Sequence, residues 1–443
     1  MRVSLLKKKK YPVVVPENQH SMTTFDVERE VLGVLNHLRR KGYEAYLVGG
    51  CIRDILLKKT AKDYDIVTDA RPNQIKRIFR RCYLIGKRFR LAHVYIDRQR
   101  FVEVATFRGI VDPGDYEEGS YAANNVFGTM KDDVLRRDFT VNALYYNSAD
   151  GSIIDYTGGL SDLKKRIMRS IGDPETRFAE DPVRIIRLAR FCAQLDMTPS
   201  RRDMKAAKKL AHRIVDANDS RLLEEIYKIF RSGESGNIFR NLNDYGLLQY
   251  WYPELCRLQD PESCFTRLDA IDRHKKSGAD VHSNIYFTAL FYDILEEAVK
   301  KEEPANFQET FMMLRNQFRE LAIRMRMPRA EFDRMCNNVA RQGMFTSDPG
   351  NPKRRKQENR FMRNQYFADA MRFFEIQAEA TGSHTEALQY WKNRVAEMRK
   401  TDRNVKGGKE PRKRPGKPRN PSRNQKDSRH RLENTGDKRS ARR

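Results

Sequence analysis

The sequence predicts an α+β protein. A head built on a mixed β-sheet with flanking helices comes first, then all-helical neck and body domains, then a disordered basic tail. Three observations predict it. Short β-branched and aromatic runs alternate with helical stretches up to about residue 150. From Ser161 onward helical periodicity dominates. After Lys400 the only apolar residues are Val405, Leu432 and Ala441, too few to offset the entropy of ordering. The expected boundaries are a mobile arm at 1–20, the head at 21–150, the neck at 151–215, the body at 216–400 and the tail at 401–443.

In order, Thr23 or Thr24 caps a helix to about Lys41, with Val27, Val31, Val34 or Leu35 and Leu38 as its apolar stripe and Gly42 as its stop. Tyr43 to Val48 reads as a strand, and Gly49-Gly50 turns it into a short helix from Arg53 to Leu57. A strand follows over Lys62 to Val67. Arg71-Pro72 opens a helix to about Arg80, since proline suits a first turn. Three β-rich runs lie near Tyr83 to Ile85, Arg90 to Ile96 and Arg100 to Phe107. Asp112 to Ala123 reads as a loop near the site. Val134 to Tyr146 reads as a helix and Ile153 to Asp155 as a strand. Glu180 to Leu195 reads as one helix with Pro182 in its first turn, and Arg221 to Phe230 as another, ending at Ser232-Gly233. Helices are also expected near 282–301, 306–326, 329–342, 357–381 and 384–400. The apolar faces of these later helices, such as Phe287, Leu290 and Leu295, are expected to pack a core.

The chain has 443 residues, 39% of them hydrophobic, enough for two to four compact units. No window approaches 18 consecutive apolar residues, which argues against a transmembrane helix. The start lacks the basic-then-apolar order of a secretory signal. Six cysteines at 51, 82, 192, 256, 264 and 336 form no C-x-x-C pair, so a reducing cytoplasm is expected. The net charge of +26 calls for a polyanion, and nucleic acid fits better than a membrane surface. From Arg399 to Arg443 there are 18 Lys/Arg against 5 Asp/Glu, so about half the excess lies in the tail.

The chemistry is carried by a constellation. On a strand, residues i and i+2 share a face, so Asp63 and Asp65 point the same way while Tyr64 and Ile66 point inward. Two such carboxylates repel unless a hard cation lies between them, and Mg²⁺ held against nucleotide phosphates is the simplest use. Two solvated carboxylates on a strand end would look the same in isolation. Gly49-Gly50 lets backbone approach phosphates, and Arg53 adds a charge-assisted contact. Glu103, beside Phe101 and Ala105 on its face, is a candidate third acid. Arg136 and Arg137 suit phosphate oxygens. Asp138 and Asn142 would share a helical face, and Asp138 can bind metal, ribose or an arginine. Glu180, Arg184 and Arg187 would share one helical face with Asp181 in the first turn. Such a set can read a base edge, or simply pair on the surface.

Together these residues resemble the class II nucleotidyltransferases of the DNA-polymerase-beta superfamily, the group of bacterial poly(A) polymerases and tRNA CCA-adding enzymes. The matching order is Leu47–Asp54, Lys62–Thr68, Glu103–Arg108, Arg136–Asn142 and Glu180–Arg184, and the likeness continues through Arg221–Gly233 and fades after about residue 300. Within the group the chain looks like the bacterial poly(A) polymerases. Gly86–Val94, Val14–His20 and the basic tail carry that likeness, while Cys51 stands where a Gly is frequent and the Asp112 to Ala123 loop looks shortened. The resemblance implies a nucleotidyltransferase head in which Asp63 and Asp65 hold two Mg²⁺ ions, with ATP as substrate. It places Asp138 at a third acidic position assigned to catalysis and leaves Glu103 as its rival for metal contact. Gly49, Gly50 and Arg53 would face the triphosphate, Arg136 and Arg137 would steady the nucleotide with Asn142 beside them, and Glu180, Asp181, Arg184 and Arg187 would sense the base.

The function this implies is template-independent addition of AMP to RNA 3′ ends, promoting RNA turnover. The alternatives are a tRNA CCA-adding enzyme and a non-catalytic RNA-binding protein on a transferase fold. The expected partners are single-stranded RNA 3′ ends and RNA-decay machinery or an RNA chaperone, with no membrane, for a cytoplasmic monomer.

Overall fold

The computed structural model describes residues 11–61, 63–86, 91–109, 126–258, 260–346 and 355–407, with side chains described to residue 400. Lys62, half of the Gly86–Val94 run, the Asp112 to Ala123 loop and the tail beyond 407 lie outside the described residues. Two compact units follow one another, Met1–Tyr390 and Trp391–Arg443.

The first unit begins with an eight-stranded mixed sheet. Its strands are β1 (Val13–Val15), β2 (Ala45–Val48), β3 (Asp65–Thr68), β4 (Cys82–Ile85), β5 (Leu91–Tyr95), β6 (Phe101–Thr106), β7 (Leu144–Asn147) and β8 (Ser152–Asp155), in the order β1-β8-β7-β2-β3-β6-β5-β4. Among the described residues of this sheet only β3 and β6 pair in parallel, joined by a connection that includes helix α3 and the β4–β5 pair. Helix α1 (Arg29–Arg40) and α3 (Pro72–Ile78) cover one sheet face. There Val31, Leu35, Leu38 and Ile75 pack on Leu47, Ile66, Ala92, Val94, Val102 and Val104. Helix α2 (Gly50–Leu56) leaves β2 directly, and α4 (Met130–Arg136) covers the centre of the opposite face through Met130 and Val134 on Val48, Val67 and Tyr145.

Beyond the sheet come α5 (Gly159–Lys164), a two-stranded pair of β9 (Ile167–Met168) and β10 (Thr198–Pro199), α6 (Pro174–Glu180), α7 (Val183–Leu195), α8 (Arg201–Leu210) and α9 (Asp219–Ser232). Asn218 caps α9 and Gly233, at φ +75°, ends it. The helices between Ser235 and Ala340, together with Phe367–Thr381, share one large core with α7 and α9, and Phe287, Leu290 and Leu295 are fully buried in it. The last helix, Thr385–Gly407, runs past the expected stop at Lys400.

Several expectations need correction. Residues 13–15 of the expected arm are an edge strand, because three valines pair with Ile153–Asp155. The first helix starts at Arg29, since Thr23 instead closes a separate turn with Asp26. The strand begins at Asp65, so Asp63 precedes it. Val134 to Tyr146 is not one helix: α4 stops at Arg136, Thr140–Asn142 is a 3₁₀ turn, and Leu144–Asn147 is claimed by β2 and β8. Glu180 to Leu195 is two helices. Asp181, preceding a proline, is pushed out of helical geometry to φ −150°, ψ 89°. The expected 306–326 and 357–381 helices are each two segments, while the 329–342 helix forms as one and ends at Ala340.

Candidate active site

Strand pairing builds the acidic part of the site. Asp65 lies directly opposite Glu103 across the parallel β3–β6 pair, so both side chains leave the same face. Asp63 is two residues upstream and exposed. Asp63, Asp65 and Glu103 line a cleft of about 510 Å³ with Glu28, Arg100 and Phe101. Asp65 opens to solvent on one side and is packed by protein on the other. Lost hydration, then the charge of Glu103 and Asp63, push its carboxyl up to about 6 against the pull of Arg137. Crowded like charges of this kind favour a cation. Among the described residues no three Cys, His, Asp or Glu form a ready-made metal cage. Mg²⁺ does not need one, because it takes one or two carboxylates and completes its shell with water and phosphate oxygens. The donor set fits.

Gly49 sits beside these carboxylates with φ +86°. A Cβ there would lie 3.6 Å from Arg137 Nη1, 3.7 Å from Asp65 Oδ2 and 3.9 Å from the Asn142 carbonyl. The turn thus gathers Gly49, Asp65, Arg137 and Asn142. Arg137 is held by Asp133, whose Oδ2 accepts from its Nε at 3.1 Å and Nη2 at 3.0 Å, and the Tyr145 hydroxyl lies 3.2 Å from Nε. Burial lowers the Arg137 pKa, but Tyr145 and Asp133 outweigh it and raise it overall. Arg136 donates to the Gly109 carbonyl at 2.6 Å.

Arg53, expected toward the triphosphate, is buried and donates to Asn142 Oδ1 at 2.5 Å and to Asp54 at 2.9 Å. Asn142 in turn donates to Asp138 Oδ1 at 3.2 Å. The two residues meet through the 3₁₀ turn, not along a helix face. The other Asp138 oxygen accepts from Arg187 Nε at 2.9 Å. Burial alone would raise this carboxyl, but Arg187 more than offsets it and holds it at about 2. Asp138 is therefore committed to an arginine. Arg187 and Arg190 share buried Glu225 of α9, at 3.3 and 2.9 Å. Phe191 lies under three guanidiniums, those of Arg53, Arg187 and Arg190.

Glu180, Arg184 and Arg187 do not share one helix face, because Glu180 ends α6. Glu180 nonetheless accepts from Arg184 at 3.2 Å across the break, and from Arg177 of its own helix at 2.8 Å. Asp181 pairs with Arg221 of α9 at 2.7 Å and with Arg184 at 3.8 Å. Sequence reading missed Asp133, Tyr145, Arg177, Phe191 and Glu225. Glu225 stands within the Arg221–Gly233 stretch, but its partner is 38 residues away and no local spacing signals that pair.

Two sequence families match this chain. Residues 45–169 match the "Poly A polymerase head domain", and residues 196–258 match the "Probable RNA and SrmB- binding site of polymerase A". Poly(A) polymerase I of Haemophilus influenzae is 39% identical over 329 residues, 70% of this chain and 73% of that protein. Poly(A) polymerase I of Salmonella typhi is 37% identical over 70% of each. A CCA-adding enzyme of Bacillus subtilis is 35% identical over 213 residues, 48% of this chain and 53% of its own. Among solved structures, the Bacillus stearothermophilus CCA-adding enzyme in complex with CTP superposes with a TM-score of 0.59 at 22% identity, over 83% of this chain and 82% of that one. The Thermotoga maritima CCA-adding enzyme complexed with tRNA_CCA gives 0.58 at 17%, over 87% and 86%. These structural likenesses show a common fold.

Proposed function

Because this chain belongs to the bacterial poly(A) polymerase family and is a polynucleotide adenylyltransferase, we propose that it adds AMP from ATP, without a template, to single-stranded RNA 3′ ends by a two-metal nucleotidyl transfer. The observation that carries the mechanism is the register of Asp65 with Glu103 beside Asp63 in an open cleft, with Gly49 and Arg137 next to Asp65. Asp63 and Asp65 would hold Mg²⁺, with Glu103 as third carboxylate. When bound, the ions would activate the RNA 3′-OH and neutralise the departing pyrophosphate. The 3′ oxygen gives up its proton to solvent and forms a bond to the α-phosphorus as the α–β bridging P–O bond breaks and pyrophosphate leaves. Asp138 would act as a positioning residue through Arg187 and Asn142, since its oxygens are already taken.

Gly49 and Gly50 give the triphosphate close backbone approach, and Arg136 and Arg137 supply charge beside it. Arg53 holds Asn142 in place. Glu180, Asp181 and Arg184, tied to Arg177 and Arg221, would read the base with Arg187 behind them. ATP rather than CTP is supported by the relatives: identity to poly(A) polymerases extends over 70% of the chain, against about half for CCA-adding enzymes. RNA 3′ ends are the second substrate, and the matched RNA-binding family supports this. We assign the head, which holds the whole eight-stranded sheet, to 13–155, the neck to 156–215, the body to the helices from 216 onward and the tail to the residues beyond 407. A cytoplasmic monomer promoting RNA turnover with decay machinery or an RNA chaperone completes the reading. No helix among the described residues is long and apolar enough to cross a membrane.

The test is primer extension with Mg²⁺, with a chelator, and with Asp65→Asn. Extension with Mg²⁺ that vanishes in both other cases supports the metal assignment. Full activity of Asp65→Asn refutes it.

A further inference from the structure

The sheet face that carries Asp65 continues past the site to the sheet edge. Cross-strand partners point the same way, so Tyr83, His93, Glu103 and Asp65 form one row across β4, β5, β6 and β3. The adjoining row on β5 and β6 is Tyr95 opposite Phe101. On the reverse face the same strands carry buried Cys82, Val94, Val102 and Val104. Four rings thus occupy the open side of this end of the sheet. His93 stacks on Phe101 with 4.0 Å between centroids and 10° between planes. Tyr95 lies 5.6 Å from Tyr83, edge-on, and 5.6 Å from Phe101.

These rings are not a core. Tyr83 is 63% exposed and Phe101 42%, while His93 and Tyr95 are half-buried. The small core under α4 includes none of them. An exposed aromatic strip suits either a protein surface or unpaired bases, and three features favour bases. The strip runs directly into the acidic row, where an RNA 3′-OH has to arrive, and His93 Nε2 lies 3.4 Å from Glu103. Exposed Arg80 and Arg81 precede β4, and exposed Arg98 lies in the turn from β5 to β6. These cations flank the end of the strip where Tyr95 donates to the Arg81 carbonyl at 2.9 Å, as a phosphate backbone requires. Finally, stacking uses the π-face that every base has. It grips a strand without fixing its sequence and lets it slide one nucleotide per addition.

We infer that Tyr83, His93, Tyr95 and Phe101 form a stacking platform for the unpaired bases just upstream of the RNA 3′ end. The platform rests on reading the adjoining carboxylates as the catalytic centre. The test uses the full chain without ATP, binding a fluorescent oligo(A) RNA and the same strand made abasic at its last few nucleotides. Tyr83→Ala and Phe101→Ala are each expected to weaken oligo(A) binding about tenfold, within the range for loss of one base stack. Phe101→Tyr should retain affinity and Phe101→Leu should not. On the abasic strand all variants should bind like the parent. Unchanged oligo(A) affinity in the alanine variants, equal losses on both strands, or a leucine as good as phenylalanine would each overturn the platform, the first of these leaving the strip to a protein partner. The binding readout is independent of chemistry. A parent chain that passes it yet adds no adenylate refutes the proposed function alone, while extension with unaltered variant binding refutes the platform alone.

Discussion

Replacing Asp138 by asparagine keeps a shape and removes a charge. The carboxyl is held at about 2 against an ordinary 3.8, chiefly because Arg187 offsets its burial. At 1.36 kcal/mol per pKa unit, that difference amounts to about 2 kcal/mol of stability. A carboxyl depressed in the folded state contributes fully above its unfolded value and loses that contribution as pH falls through the folded one. The window is therefore from about pH 4 down to about pH 2. Urea denaturation followed by tryptophan fluorescence should show Asp138→Asn less stable by about 2 kcal/mol at pH 7 and by the same amount at pH 5. A difference that shrinks between pH 7 and pH 5 would refute the Arg187 assignment. The same variant separates positioning from metal binding. Its activity should fall with the Mg²⁺ dependence unaltered, whereas Glu103→Gln should need more Mg²⁺. The opposite pattern would make Asp138 the metal ligand.

Two further substitutions probe the frame around the site. Glu225→Gln takes the shared anion from Arg187 and Arg190 at a buried position, and should lower the unfolding free energy from urea denaturation by on the order of 3 kcal/mol. A loss below about 0.5 kcal/mol would show that the arginines re-pair. Gly49→Ala places its Cβ no closer than 3.6 Å to any neighbour, an ordinary contact, so its cost is backbone strain alone at φ +86°. About 1–3 kcal/mol is expected, with reduced nucleotide incorporation as the turn beside Asp65 shifts. Parent-like stability would show that the turn tolerates a side chain.

What was legible in the sequence was local. Asp65 and Glu103 could be placed on strands by alternation, and Gly49 at a strand-to-helix turn by its position. What failed depended on distant partners. Val134 to Tyr146 has spacing compatible with a helix, but Leu144–Asn147 is captured by strands on either side. Val13–Val15 find an edge 140 residues later. Pro182 stands at the cap just before α7 rather than inside a helix begun at Glu180, and it forces Asp181 out of helical geometry. Glu225 carries no spacing signal, because its arginines lie 38 and 35 residues away, whereas Asp133 stands four residues before Arg137, a helical spacing that does point to the pair. The aromatic strip is legible only once β4, β5 and β6 are set in register, since its four rings are scattered over residues 83–101.

The most direct measurement is a primer-extension gel with Mg²⁺, each NTP supplied separately to oligo(A) RNA and to a tRNA lacking its CCA end. A long ladder with ATP on oligo(A), and little with CTP, is the predicted result. Addition that requires CTP and stops after a few nucleotides on the tRNA would contradict the account and make the chain a CCA-adding enzyme.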